Sequence, residues 1–304
     1  MSFSSETKRE LCRQLPARRC CILAEAYGIL LYCNTFSARE IRIVTESRDF
    51  ALRLPRLFSR AFGVSFDRLP PEDAVGKLAF AVTDREKLHR IFEAYGYGPT
   101  QTVALTINFA VLEEECCRAS FFRGAFLAGG SVTDPGKRYH LELVTSHYSV
   151  GREMRTLLLD CGFSPKETVR GANYVTYFKQ SEAIEDFLTT VGAPAAAMEI
   201  MTAKVEKHLR NGINRRVNCD AANLDKTVDA AQEQLAAIRR LDAGRGLSSL
   251  PDRLRRTAEK RLEFPELTLS ELAASLDPPV TKSCLQHRLK KLMMLAAQCG
   301  AEDT

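Results

Sequence analysis

The sequence predicts an α+β chain in which a duplicated αββαβα unit is followed by an all-α domain ending in a helix-turn-helix. Three observations carry this reading. Cys20-Cys21 and Cys116-Cys117, the only adjacent cysteine pairs, recur about 96 residues apart and each opens an apolar helix containing Gly and Ala. Ile41–Thr45 and Leu141–Thr145 repeat a β-branched strand at nearly the same offset. Near the end of the chain two helical segments flank a tight break at Asp277-Pro278-Pro279.

The first helix of each unit is fixed by the repeat. At the offset of the cysteine pairs Gly28 matches Gly124, Leu31 matches Leu127 and Asn34 matches Gly130. Glycine inside a helix costs about 1 kcal/mol relative to alanine, so its recurrence needs a reason. Ala24 with Gly28, and Gly124 with Ala128, are spaced to let two helices meet backbone to backbone. A buried core helix of small residues is the plainer alternative.

The strands come next, Ile41–Thr45 and Leu141–Thr145, now about 100 residues apart. The loop before the second is therefore about four residues longer, through Thr133-Asp-Pro-Gly-Lys-Arg138. Helices over Arg53–Phe62 and Glu153–Leu159 follow, stopped by Gly63 and Gly162. Leu78–Thr83 and Tyr174–Phe178 read as further strands, and Glu86–Tyr95 and Glu182–Val191 as closing helices. The repeat domain thus spans 1–194, with copies at about 1–110 and 111–194.

Residues 195–222 read as a basic helix and linker. Lys204, Lys207, Arg210, Arg215 and Arg216 are opposed only by Glu206, and the helix is expected to break at Asn211-Gly212. These cations fit a solvated helix face or phosphate contacts equally. The last domain, 223–304, begins with a helix from about Asn223 to Leu241. A second runs from Pro251-Asp252 to Glu263. Thr268-Leu-Ser-Glu271 is a capping box opening a third, to about Leu276. Thr281 caps the last, which runs to about Gln298, and the helix-turn-helix motif occupies about 269–302.

That last helix has two faces. Leu285, Leu289, Leu292 and Ala296 form an apolar stripe. Lys282, Ser283, Gln286, His287, Arg288, Lys290 and Lys291 supply the other side, and no acid occurs from Thr281 to Gln298. A recognition helix needs polar side chains to reach base edges and cations to hold phosphates. A solvated polar face is the competing reading, and His287 alone also fits an ordinary surface histidine.

Composition sets outer limits. The 304 residues carry a net charge of +5, which permits nucleic acid without demanding it. No apolar run reaches membrane-spanning length, and Met1-Ser-Phe-Ser-Ser-Glu-Thr-Lys leads into no signal-peptide core, so a cytoplasmic protein with no membrane partner is expected. The ten cysteines include no C-x-x-C pair and no histidine at finger spacing. They read as reduced, buried thiols, with no zinc site. There is no phosphate-binding loop or dinucleotide fingerprint either. No metal, cofactor, small-molecule substrate or catalytic residue is expected.

Phe122-Arg-Gly-Ala-Phe-Leu-Ala-Gly-Gly-Ser131 resembles the Gly-rich helix of LAGLIDADG homing endonucleases. In those enzymes two such helices pack face to face, and the last acid of each holds the metal that activates water. Here the last-acid position falls on Gly129, the earlier Asp position on Leu127, and in the first copy the last-acid position falls on Cys33. Further motifs are Tyr139-His-Leu-Glu142, Val217-Asn-Cys-Asp-Ala-Ala-Asn-Leu-Asp-Lys-Thr-Val-Asp-Ala-Ala231, Pro278-Pro-Val-Thr-Lys-Ser283 and His287-Arg-Leu289. With these the whole chain resembles the WhiA family. The resemblance implies a regulatory DNA-binding protein of Gram-positive bacteria, tied to sporulation, cell division or chromosome segregation. It further implies a catalytically dead nuclease-like domain and DNA contact through the C-terminal helix-turn-helix. Gln286 and Cys284 stand where the family commonly has Asn and Gly.

The expected function is therefore sequence-recognising binding of double-stranded DNA, in the nucleoid, by Lys282, Ser283, Gln286, His287, Arg288, Lys290 and Lys291. Two alternatives stay open. The repeat domain offers Arg42, Arg48, Lys77, Lys137, Arg138, Arg170 and Lys179, but also Glu40, Glu46 and Glu142, and this mixed sign fits a protein-interaction or ligand-sensing scaffold. A metal-dependent endonuclease with relocated ligands would have to use Glu25, Glu113, Glu114 or Glu115.

Overall fold

The computed structural model describes residues 2–13, 15–71, 73–74, 76–98 and 105–299. The chain divides into two compact units, Met1–His208 and Leu209–Thr304. Residues 300–302, the expected end of the helix-turn-helix motif, lie outside the described residues.

The first unit opens with a helix that sequence reading passed over, α1 (Phe3–Cys12). Phe3, Thr7 and Leu11 recur every fourth residue and are buried. The Ser2 hydroxyl accepts from the Ser5 amide at 3.2 Å and caps it. The first copy then runs α2 (Arg19–Tyr32), β1 (Thr35–Phe36), β2 (Ile41–Thr45), α3 (Arg48–Phe62), β3 (Leu78–Val82) and α4 (Arg85–Glu93). This is the αββαβα order expected, with α3 starting five residues earlier than its apolar periodicity marks, at the Ser47 cap.

The second copy runs α5 (Glu115–Gly129), β4 (Gly130–Val132), β5 (Leu141–Thr145), α6 (Tyr148–Asp160), β6 (Lys166–Arg170), β7 (Asn173–Phe178) and α7 (Ser181–Val191). It departs from the expected order by one strand, β6. All five of its residues are exposed, so no alternation betrays it. Its pairing with β7, Val169 opposite Tyr174 for example, makes it a strand.

Both sheets are antiparallel, in the orders β1-β2-β3 and β4-β5-β7-β6. Their registers repeat: Ile41 faces Val82 as Leu141 faces Phe178. Gly63 and Gly162 stand past the ends of α3 and α6 at φ +67° and +85°, the left-handed stop their sequence positions imply.

The helices α2 and α5 form the centre of this unit. A methyl group added to Gly28 would lie 2.1 Å from the Phe121 carbonyl oxygen, and one added to Gly124 would lie 2.1 Å from that of Glu25. The two backbones therefore touch, reciprocally, at the two glycines the repeat aligns. Burial on nearly every side explains why neither helix shows an amphipathic stripe.

The expected linker is absent. Pro194 to Arg245 is one helix, α8, of 52 residues, and the boundary between the units falls inside it. Ala196, Ala197 and Ile200 are buried near its start, and Ala237, Ile238 and Leu241 near its end. Packing anchors both ends, and propagation from them carries the helix through a middle of low helix propensity that includes Asn211, Gly212, Asn214, Asn218 and Asn223. Residues 208–230 are exposed at every position. The second unit adds α9 (Asp252–Glu263), α10 (Leu269–Ala274) and α11 (Lys282–Cys299).

Candidate nucleic-acid interface

The core of the second unit holds α11 by its apolar stripe. Leu285, Leu289, Leu292 and Ala296 pack with Leu272, Ala273 and Leu276, with Leu254 and Ala258 of α9, and with Ala237, Ile238 and Leu241 of α8. The capping box forms as expected: the Thr268 hydroxyl accepts from the Glu271 amide at 3.4 Å, and the Glu271 carboxylate accepts from the Thr268 amide at 2.9 Å. That backbone donor holds the Glu271 carboxyl below its usual range. The turn closes where the Val280 amide donates to the Ala273 carbonyl at 3.1 Å. Buried Arg261 ties α9 to the segment before α10, donating to the Leu267 carbonyl at 2.6 Å. The Thr281 hydroxyl accepts from the Cys284 amide at 3.2 Å and sets the start of α11.

With the stripe buried, the polar side of α11 is turned out. Ser283, Gln286, His287 and Lys290 recur at i, i+3, i+4 and i+7 on one face and are exposed, as are Lys282 and Lys291. Arg288 is half-buried at the margin of the stripe. None of these seven side chains makes a hydrogen bond or ion pair to another described residue. The face is a run of free cations and amide, hydroxyl and imidazole donors.

The basic stretch of α8 divides. Lys204 pairs with Glu182, and Lys207 donates to the Pro135 carbonyl at 2.6 Å with its ammonium 4.5 Å from the centre of the Tyr139 ring. Both belong to the first unit's own packing. Arg210, Arg215 and Arg216 are exposed. On the repeat sheets Glu142 takes Arg170 at 3.0 Å and His140 at 3.2 Å, which removes one of the expected surface cations.

At the feet of α2 and α5 neither last-acid position, Cys33 or Gly129, carries a carboxylate, although Glu46 lines the cleft there. Cys33 is buried, its sulfur 3.1 Å from the carbonyl oxygens of Leu30 and Thr35, and burial pushes the thiol up to about 12. It is a neutral group. A Cβ at Gly129 would stand 2.4 Å from the Val144 carbonyl oxygen, so the position has no room for a carboxylate. The ammonium of Lys8, from α1, donates to the Leu127 carbonyl at 3.1 Å. Burial lowers that lysine to about 8. Glu25 is held by Arg53 at 2.6 and 2.8 Å and by Arg123 at 3.4 Å, two guanidiniums that neutralise its charge. Glu113, Glu114 and Glu115 precede or open α5, at the opposite end from Gly129.

A family model described as the WhiA C-terminal HTH domain matches residues 213–296, and one described as the WhiA LAGLIDADG-like domain matches 118–210. The probable cell division protein WhiA of Ruminiclostridium cellulolyticum is 36% identical over 304 residues, covering 97% of each chain. The chain belongs to the WhiA family. The protein of the same name from Alkaliphilus oremlandii is 37% identical, covering 98% of each chain. The crystal structure of full-length DUF199/WhiA from Thermatoga maritima superposes with a TM-score of 0.61 at 26% identity, covering 98% of this chain and 99% of that one. The first unit is thus the LAGLIDADG-like domain of a WhiA protein, and the second carries its C-terminal HTH domain.

One cluster escaped the sequence reading. The cysteines are not uniformly buried: Cys20, Cys219 and Cys284 are exposed. Cys20 and Cys116 sit in the first turns of α2 and α5, before those helices enter the core. The shared repeat offset was the signal that could have brought the two pairs together.

Among the described residues no helix is long and apolar enough to cross a membrane.

Proposed function

We propose that this WhiA protein is a sequence-recognising regulator that grips double-stranded DNA with α11. Its biological setting is transcription control linked to cell division and chromosome segregation or to sporulation, in the nucleoid of the cytoplasm. The carrying observation is the face of α11: seven polar or cationic side chains with no partner among the described residues, on a helix fixed by its opposite face. Ser283, Gln286 and His287 are assigned to base edges, and Lys282, Arg288, Lys290 and Lys291 to phosphates. The nuclease-like domain is assigned no catalysis, supported by the neutral Cys33, the crowded Gly129 and the neutralised Glu25.

Site selection from a random duplex pool tests the assignment. Gln286→Ala should relax preference at one base position and cost about 1–3 kcal/mol at the preferred site. A selected sequence unchanged by Gln286→Ala and by His287→Ala would remove base reading from α11. A protein partner for the repeat domain is the second reading, favoured by the mixed-sign sheet surface on which Glu142 neutralises Arg170.

A further inference from the structure

The adjacent cysteine pairs that reveal the repeat also meet in space. Cys20 and Cys21 occupy the first turn of α2, and Cys116 and Cys117 the first turn of α5. The backbone contact at Gly28 and Gly124 sets these helices side by side. All four sulfur atoms lie within 4.8 Å of one another. The Cys20 and Cys21 sulfurs are 3.9 Å apart, and the Cys21 sulfur is 3.6 Å from the Cys116 carbonyl oxygen. A tetrahedral zinc–tetrathiolate has bonds of about 2.3 Å and hence sulfur–sulfur edges of about 3.8 Å. The Cys20–Cys21 edge already has that length, and the others, within 4.8 Å, need to contract by no more than about 1 Å through side-chain adjustment.

We propose that Cys20, Cys21, Cys116 and Cys117 form a structural tetrathiolate site for a single zinc ion, clamping the two halves of the duplicated domain together. The site lies at the N-terminal ends of α2 and α5. It is therefore at the opposite end of both helices from Cys33 and Gly129, where a nuclease of this fold would hold its catalytic metal.

The chemistry of the surroundings suits the group. Four thiolates around a divalent ion leave a net charge of −2. Both cysteine pairs lie in the first turn of a helix, whose positive dipole end favours anionic thiolates. The Arg18 guanidinium stands 3.9 Å from the Cys116 sulfur. Cys21 and Cys117 are buried, Cys116 is half-buried and Cys20 is exposed, so the site has protected ligands and an entry path. The absence of a C-x-x-C motif is no objection. Each copy of the repeat supplies two neighbouring ligands, and the pairing of the copies supplies the set of four. Soft thiolates select zinc over magnesium or calcium.

Cobalt titration of the full chain, reduced and stripped of metal under anaerobic conditions, tests this. Uptake of one equivalent should give the visible bands of tetrahedral Co2+ and a near-ultraviolet charge-transfer band as strong as four thiolates produce, both erased by one equivalent of Zn2+. Cys20→Ser and Cys116→Ser, each confirmed as folded by circular dichroism, should weaken binding by more than the about tenfold that loss of even an outer-shell partner brings. Both should also reduce the charge-transfer band. Cys219→Ser/Cys284→Ser, which removes exposed cysteines outside the cluster, should leave both spectrum and stoichiometry unchanged. A folded, reduced wild-type chain that gives no tetrahedral spectrum overturns the proposal, as does a spectrum that survives Cys20→Ser and Cys116→Ser together.

Discussion

Arg53 lays its guanidinium fork onto Glu25, with Nε and Nη2 at 2.6 and 2.8 Å from the two carboxylate oxygens, and the carboxylate has no solvent exposure. Breaking a buried pair from one side leaves a desolvated charge and costs about 3–5 kcal/mol. Arg53→Met leaves Glu25 only the longer Arg123 contact at 3.4 Å and is expected to lower stability by about 3 kcal/mol, the lower end of that range, read as a fall in the calorimetric melting temperature of the first unit. Glu25→Leu/Arg53→Met, which removes both charges, should recover most of the loss. Equal losses in the single and double variants would mean that the pair contributes packing alone.

The contact of Gly28 and Gly124 with the facing backbones has no slack. A methyl group 2.1 Å from a carbonyl oxygen cannot be relieved by a rotamer change, so α2 and α5 must move apart. Gly28→Ala and Gly124→Ala should each cost about 3 kcal/mol, the upper part of the range for overpacked cores. Denaturation midpoints would show it. A change below about 0.5 kcal/mol would contradict the close approach.

Gly212 sits inside α8 with nothing near the place its Cβ would occupy. Gly212→Ala should therefore stabilise the helix by about 1 kcal/mol and raise the far-ultraviolet helical signal. A linker broken at Asn211-Gly212 would show no such gain.

Cys33 gives a pH prediction with a definite sign. Burial raises its thiol from 9.0 to about 12 in the folded chain. Its contribution is complete below about pH 9, and is lost as pH rises through 12, because the unfolded chain releases that proton first. The half-buried thiol of Cys12, also raised to about 12, acts in the same direction. Stability should fall with pH in this window, and Cys33→Ala should flatten the slope by about 1.4 kcal/mol per pH unit, the value for one proton. An unchanged slope in the variant would mean that Cys33 titrates as in the unfolded chain.

Much of this was legible from residue order. The offset of Gly28 and Gly124 announced the central helix pair, and Thr268 with Glu271 announced the capping box. The stripe from Leu285 to Ala296 announced which side of α11 is free. Other features were hidden for physical reasons. β6 is exposed at every position, so its pairing with β7 leaves no periodic trace. Asn211 and Gly212 carry local break signals, but packing at both ends of α8 overrides them. The cysteine cluster belongs to neither copy of the repeat alone, so rules of ligand spacing along the chain pass over it. The fates of Gly129 and Glu25 depend on the Val144 carbonyl and on Arg53, partners that only the folded chain brings near.

The most direct test of the central claim is the salt dependence of binding of the full chain to a duplex by fluorescence anisotropy, beside Lys282→Ala/Lys290→Ala/Lys291→Ala. Four cations on phosphates predict a log–log slope of about −3.6 for the unaltered chain. Loss of three should bring the slope to about −0.9 and weaken binding strongly at low salt. A slope near zero in the unaltered chain, or binding that the triple variant retains in full, would contradict a DNA grip by α11.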